Sequence, residues 1–133
     1  MMQTMLIGDR EIHMKFTAKN TMIIEESASE FLFGEKRFIS MDELLNKIDR
    51  MNVLMYLFRK GLDWKGSGAK PTEAEDLYDA YMEAGELDTG DRFKEFQMAV
   101  ATSIAASRGI DLPKLLALAM AEAEKRASLG RGN

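Results

Sequence analysis

The first residues of the chain alternate between apolar and polar side chains. The alternation runs from Glu11 to Phe16 and is typical of a strand with one buried face. Gly8-Asp9 separates this segment from an earlier apolar one, and that dipeptide favours a tight hairpin turn. The pattern predicts strands over residues 3–7 and 11–16, which together form an N-terminal hairpin within residues 1–17.

After the hairpin, apolar residues recur every three or four positions, as in amphipathic helices. Ser40 and Glu43 have the spacing of a capping box, and the helix that they begin is expected to continue to Gly61. Thr72 and Glu75 repeat this signature at the start of a shorter helix that should end at Gly85. Ser40 and Thr72 are therefore predicted N-caps. Three further helices are predicted, from Thr17 to Gly34, from Asp88 or Thr89 to about Gly109, and from residues 111–113 onward.

The predicted fold is mainly α, with a small N-terminal β-hairpin followed by four to five helices packed as one domain. This domain is expected to span residues 1–133, a length sufficient for a hydrophobic core. Glycines and a proline within residues 63–71 predict a flexible loop. Two glycines near the C-terminus predict that residues 129–133 fray.

The chain has few of the side chains that catalysis requires. It contains no cysteine, one histidine and one tryptophan, but eleven methionines among 46% apolar residues. Enzymes need positioned nucleophiles, bases or metal ligands, and a zinc site needs more than the single His13. We therefore expect no catalytic residue, no metal and no cofactor. Flexible methionine side chains favour a protein that binds other proteins.

Charge and hydropathy restrict the partners further. The 18 basic and 22 acidic residues are interspersed and give a net charge of −4, so we expect no nucleic-acid or anionic-membrane surface. The longest apolar segment, residues 115–121, is far too short to cross a bilayer. The absence of cysteine fits a reducing compartment, and the N-terminus does not have the pattern of a signal peptide. The expectation is a soluble, cytoplasmic protein.

Two apolar segments are the candidates for a contact surface. One is Phe31-Leu32-Phe33, and the other is residues 53–58, where the helix is apolar all round. Core packing is the expectation for most of these side chains, but the apolar surplus at the two helix ends leaves room for an exposed patch. The predicted protein-binding residues are Phe31, Phe33, Met55 and Phe58.

An alternative is a DNA-binding regulator that uses residues 104–120. A helix ends there near Gly109 and another begins after a short turn, which is the outline of a helix-turn-helix. A recognition helix offers polar and basic side chains near its N-terminus. Pro113-Lys114-Leu115-Leu116 would instead place aliphatic side chains against DNA, which disfavours this alternative.

The succession of motifs resembles that of the tail assembly chaperones of long-tailed, lambda-like siphovirus bacteriophages. The resemblance covers residues 5–87, and the C-terminal third matches only in being helical. The first motif is the hairpin sequence from Leu6 to Thr17, followed by a helix of the form Thr-Ala-x-x-Thr…Ile-x-Glu-Glu from Thr17 to Glu26. A glycine break follows at Gly34. The last two motifs are the helix end Leu54-Met55-Tyr56-Leu57-Phe58-Arg59-Lys60-Gly61-Leu62 and the helix start Pro71-Thr72-Glu73-x-Glu75.

This resemblance implies a function in the host cell cytoplasm and absence from the mature virion. Such chaperones bind the long, helix-rich tape measure protein and keep it soluble while the tail tube polymerises around it. A form extended by a programmed frameshift would recruit the tail tube protein. We also expect self-association, through the hairpin edge and the apolar ends of the first two helices.

Overall fold

The computed structural model describes residues 3–85 and 89–131 as a hairpin followed by helices, which confirms the predicted fold class. The described ranges contain six helices rather than four or five, because one predicted helix is divided. The elements are β1 (Gln3–Ile7), β2 (Arg10–Met14), α1 (Ala18–Phe33), α2 (Met41–Leu45), α3 (Met51–Leu62), α4 (Ala74–Glu83), α5 (Asp91–Ser107) and α6 (Leu112–Arg131), with a 3-10 turn at Pro71–Glu73.

The hairpin forms as predicted, although β2 is shorter than expected. β1 and β2 are antiparallel, and their register brings Ile7 opposite Arg10 across a turn in which Gly8 has a φ of 63°. β2 ends at Met14, but Phe16 beyond it is still buried. The buried face of the hairpin packs on α3 and α5, and this packing gives a two-stranded sheet the support that it lacks alone.

Helix α1 begins and ends at the residues that the sequence indicates. The Thr17 hydroxyl accepts a hydrogen bond from the backbone N–H of Asn20 at 3.1 Å, which satisfies one of the N–H groups at the start of the helix. Gly34 ends the helix in the left-handed conformation, with a φ of 71°. Glycine adopts that conformation without the steric cost that a side chain would add.

The single helix predicted from Ser40 to Gly61 is wrong, because the chain turns between α2 and α3. Ser40 is the N-cap of α2, as expected, and its hydroxyl accepts from the backbone N–H of Glu43 at 3.1 Å. Residues 46–49 then form turns, and Arg50 is the N-cap of α3. The side-chain amide of Gln97, on α5, donates to the carbonyl of Ile48 at 3.2 Å. The Ile48 carbonyl, which lies in the turn between α2 and α3, is therefore satisfied by a side chain from a distant helix.

The second predicted capping box is also wrong, since it lies two residues too late. Thr72 is inside the 3-10 turn and caps no helix. The carboxylate of Glu73 instead accepts from the backbone N–H of Lys70 at 3.0 Å. Glu75 lies in the first turn of α4 and pairs with Arg59. The proline at position 71 favours a tight turn before the helix begins.

The predicted loop, residues 63–71, is held against β2 rather than being a free connector. The backbone N–H of His13 donates to the carbonyl of Ser67 at 2.8 Å, and the indole N–H of Trp64 donates to the carbonyl of His13 at 2.9 Å. Arg10 donates to the carbonyl of Gly68. These bonds occupy part of the outer edge of β2, which we had expected to be open to another strand.

The core forms where α3, α4 and α5 meet the hairpin. The ring of Phe96 on α5 meets Phe58 and Tyr78 edge-on, at 4.8 and 5.0 Å between centroids. Val100 and Ile104 continue the buried face of α5, as the sequence predicts, and Phe93 is half-buried. Gly90 is the N-cap of α5; Asp88, one of the two predicted starts, lies outside the described residues.

Helix α6 leaves this core. Every residue from Pro113 to Gly130 is exposed, and Leu112 is half-buried. The helix continues to Arg131, so residues 129–131 are helical where we had expected fraying. Residues 132 and 133 lie outside the part of the chain that the structure describes.

Candidate functional site

The structure separates the four predicted binding residues. The side chain of Phe31 is 68% exposed and that of Phe33 is half-buried, whereas Met55 is 5% exposed and Phe58 is fully buried. Met55 and Phe58 lie on α3, which packs between α1 and α4. Because α3 is covered on several sides, the stretch that is apolar all round serves mainly as core. The prediction that Phe58 belongs to a contact surface is therefore wrong.

Phe31 instead lines a pocket between α1 and α3, which we call the aromatic pocket. Its ring lies 5.5 Å from that of Tyr56, measured between centroids. The volume of the pocket is about 280 Å³, which is close to the lower limit for small-molecule sites and large enough for one or two apolar side chains. The pocket is lined by Ser27, Phe31, Tyr56, Arg59, Lys60, Asp63 and Pro71.

Polar groups surround the aromatic floor of this pocket. The Lys60 ammonium lies 5.4 Å from the centroid of the Tyr56 ring, within the range of a cation–π contact. Burial raises the pKa of Tyr56 further above its ordinary value of 10.0. Its phenol is neutral at physiological pH in either case, and it can donate a hydrogen bond. An apolar floor with a charged rim is the usual composition of a protein contact surface.

A second groove lies between α3 and α4. Its volume is about 260 Å³, and it is lined by Met51, Met55, Glu75, Tyr78 and Asp79. We call it the methionine groove. Met55, although almost fully covered, lines this groove, and its contact with a partner stays a prediction.

An ion pair between Arg59 and Glu75 lies between the aromatic pocket and the methionine groove. Arg59 lines the aromatic pocket, Glu75 lines the methionine groove, and the Arg59 Nε donates to Glu75 Oε1 at 2.8 Å. This hydrogen bond lowers the pKa of Glu75. The two grooves and the ridge between them make a surface across α3 that alternates apolar and charged groups.

Two features of these surfaces were not predicted from the sequence: the place of Tyr56 in the aromatic pocket and the exposure of α6. Tyr56 lies within the apolar segment 53–58, and its hydroxyl was the one signal that this side of α3 reaches the surface, because buried tyrosines usually keep the polar end near water or a partner. For α6, the signal was the lack of a polar face between Leu115 and Ala121. A helix that is apolar all round is buried in a core or covered by a partner.

Other candidate chemistry finds no support in the described residues. His13 Nδ1 is 2.9 Å from the hydroxyl of Thr4, and no group of three or more acidic or histidine side chains in the described ranges could hold a metal ion. None of the helices described combines the length and apolar character needed to cross a membrane.

The outline of a helix-turn-helix is present, with α5 and α6 joined by residues 108–111. The chemistry of α6 differs from that of a recognition helix, because Lys114 is the one basic residue in its first ten positions. DNA recognition relies on several basic and polar side chains at that end. The exposed aliphatic side chains of α6 fit an apolar partner better than they fit a phosphate backbone.

Comparisons of the chain with protein families, with curated proteins and with solved structures gave no match.

Proposed function

We propose that this protein binds apolar helical segments of another protein, and that it acts as a tail assembly chaperone that keeps a tape measure protein soluble in the host cytoplasm. The observation that carries the binding function is the aromatic pocket, where the exposed ring of Phe31 stands beside Tyr56. The assignment to phage tail assembly rests on the resemblance in motif order.

The proposed partner fits the shape of the surface across α3. An amphipathic helix places apolar side chains at intervals of three and four residues, and such helices commonly bind in hydrophobic grooves. One apolar side chain of the partner would enter the aromatic pocket and another would enter the methionine groove. Polar side chains between them would meet the ridge formed by Arg59 and Glu75.

Binding of this kind answers a specific need during tail assembly. A long helical protein exposes its apolar stripes until the tube encloses it, and exposed stripes aggregate. A small acidic protein that binds these apolar stripes reversibly would prevent this aggregation. A frameshift-extended form that recruits the tail tube protein would add a second partner.

The first prediction compares two exposed phenylalanines in a co-expression experiment. Phe31→Asp should sharply reduce the soluble fraction of a co-expressed tape measure protein, because a carboxylate would occupy the aromatic pocket. Phe38→Asp is the matched control, since Phe38 is 63% exposed and does not line that pocket. Circular dichroism should show that both variants keep their helices.

Two results would contradict the proposal at different levels. If folded Phe31→Asp solubilises as well as Phe38→Asp, the aromatic pocket is not the binding surface. If the unmodified protein never retains the tape measure protein in solution, or if a phage that lacks the gene still assembles tails, the chaperone function is wrong.

A further inference from the structure

Helix α6 carries an uncharged stripe along one face. Positions spaced three or four apart share a face of a helix, and here they hold Leu112, Leu116, Ala119, Met120, Ala123 and Ala127, which we call the α6 stripe. From Leu116 onward each of these residues is exposed in the structure. Glu122 and Arg126 pair on the flank of the stripe at 3.6 Å.

The start of α6 is fixed to the body of the protein. The carboxylate of Asp111 accepts from the backbone N–H of Lys114 at 3.1 Å and caps the helix. Arg108, in the turn before it, donates to Asp42 on α2 at 2.8 Å. The first turn of α6 is therefore capped beside an ion pair that links the preceding turn to α2, and the stripe beyond it is an exposed apolar face of the kind that marks contact surfaces.

The sizes of the side chains along the stripe are complementary to a second, antiparallel copy of the same stripe. Its two leucines lie in the N-terminal half, Met120 lies just past the midpoint, and two of its three alanines lie in the C-terminal half. A two-fold axis through the point between Ala119 and Met120 places a second copy of the stripe antiparallel to the first. In that arrangement every large side chain lies opposite an alanine of the other copy. Leu112 then lies opposite Ala127, Leu116 opposite Ala123, and Met120 opposite Ala119.

We propose that the α6 stripe pairs antiparallel with the α6 stripe of a second copy of this chain. Large side chains opposite small ones fill the space between two helices evenly, which close packing requires. A parallel pair would instead oppose leucine to leucine at one end and alanine to alanine at the other, and the helices would splay. Two-fold, self-complementary contacts of this kind are the commonest form of protein oligomer.

The length of the stripe sets the strength of this dimer. Sixteen residues from Leu112 to Ala127 rise about 24 Å, and a helix pair of that length buries less than the roughly 1,200 Å² of a stable interface. We therefore expect a weak dimer whose population increases with protein concentration.

Cysteine cross-linking tests the geometry, because the chain has no cysteine of its own. Under mild oxidation, Ala119→Cys should form a disulfide-linked dimer, since this position lies next to the two-fold axis. A mixture of Leu116→Cys and Ala123→Cys should form the mixed dimer. Ala127→Cys is the matched control and should stay monomeric, because its two copies would be about 22 Å apart along the helices, far beyond disulfide reach.

A second pair of variants tests the face of the helix. Leu116→Glu should raise the dissociation constant measured by sedimentation about ten-fold or more, because two carboxylates would be buried against apolar side chains. Leu118→Glu, on the opposite face of the same exposed helix, should leave that constant unchanged. Both variants should keep the unfolding midpoint of the unmodified protein, since neither position is part of the core.

Several results would overturn the inference. Cross-linking of Ala127→Cys as efficient as that of Ala119→Cys would indicate a parallel pair. A strict monomer at high concentration, without cross-linking of Ala119→Cys, would show that no second copy binds there. Equal effects of Leu116→Glu and Leu118→Glu would show that a different surface forms the dimer.

Discussion

Phe31 and Phe58 carry the same side chain in opposite surroundings, and this contrast decides which of them can contact a partner. Both belong to apolar helical segments, so their local sequence does not distinguish them. Phe58 is buried because Phe96 covers it from α5. Phe31 lies on the outer side of α1, where Tyr56 contacts its ring. Burial thus depends on neighbours that lie far away in the sequence.

The corresponding prediction is a difference in stability. Phe58→Ala should lower the free energy of unfolding by about 3–5 kcal/mol, because it leaves a cavity in the core. Phe31→Ala should lower it by about 1 kcal/mol or less, because it removes one partly solvated ring contact. Urea unfolding of the two variants measures both quantities. Similar losses at the two positions would contradict the burial described here.

At the scale of the element, the ends of the helices show what local sequence can predict. Thr17, Gly34 and Ser40 mark real helix boundaries, since capping uses bonds to residues only three or four positions away. The end of α2 could not be predicted in this way. The carbonyl of Ile48 is satisfied by Gln97 on α5, and no local pattern indicates that distant contact.

The connection between the hairpin and the 3-10 turn should be sensitive to acid. The pKa of Glu73 is lowered first by the hydrogen bond from the backbone N–H of Lys70 and then by that from the Arg10 side chain at 2.7 Å. Because the pKa is depressed in the folded protein, the ionised Glu73 carboxylate stabilises the fold, and this stabilisation is complete above the ordinary pKa of 4.5. It is lost as the pH falls from that value through the lower pKa of the folded state, because the unfolded chain then binds more protons.

Glu73→Gln should therefore reduce the loss of stability on acidification. Glutamine can still accept a hydrogen bond but has no proton to take up in this range. Urea unfolding at pH 7 and at about pH 3.5, below the ordinary carboxyl pKa, should show a smaller decrease for the variant than for the unmodified protein. Glu124→Gln on exposed α6 serves as the control. An identical decrease for Glu73→Gln and the unmodified protein would argue against this role.

For the whole molecule, α6 should be separable from the cooperative domain. A chain that ends after Asp111 should lose helical circular dichroism but keep its free energy of unfolding within about 1 kcal/mol, because exposed positions contribute little to stability. The comparison should be made at low protein concentration, where α6 does not pair. A loss of several kcal/mol would show that α6 packs against the body.

The sequence predicted the general organisation and missed the assignment of surfaces. Periodicity and turn residues were sufficient for the hairpin, for the helical domain and for the inward face of α5, because these depend on local spacing. Tertiary contacts determined the rest. The segment 53–58 lies in the core, whereas the start of α6, which is equally apolar, lies on the surface. A pattern that is apolar all round fits both a core helix and a helix that a partner covers, so the sequence could not distinguish the two.

The joint between the hairpin and the loop at residues 63–71 contains the single indole of the chain. Trp64 donates to the carbonyl of His13, and the Lys15 ammonium lies 5.3 Å from the centroid of its ring. The protein therefore carries an intrinsic fluorophore at one defined junction, with no other tryptophan to obscure it. When the loop separates from the hairpin, the indole enters water and its emission shifts to longer wavelength, so detachment of this junction can be timed optically without any label.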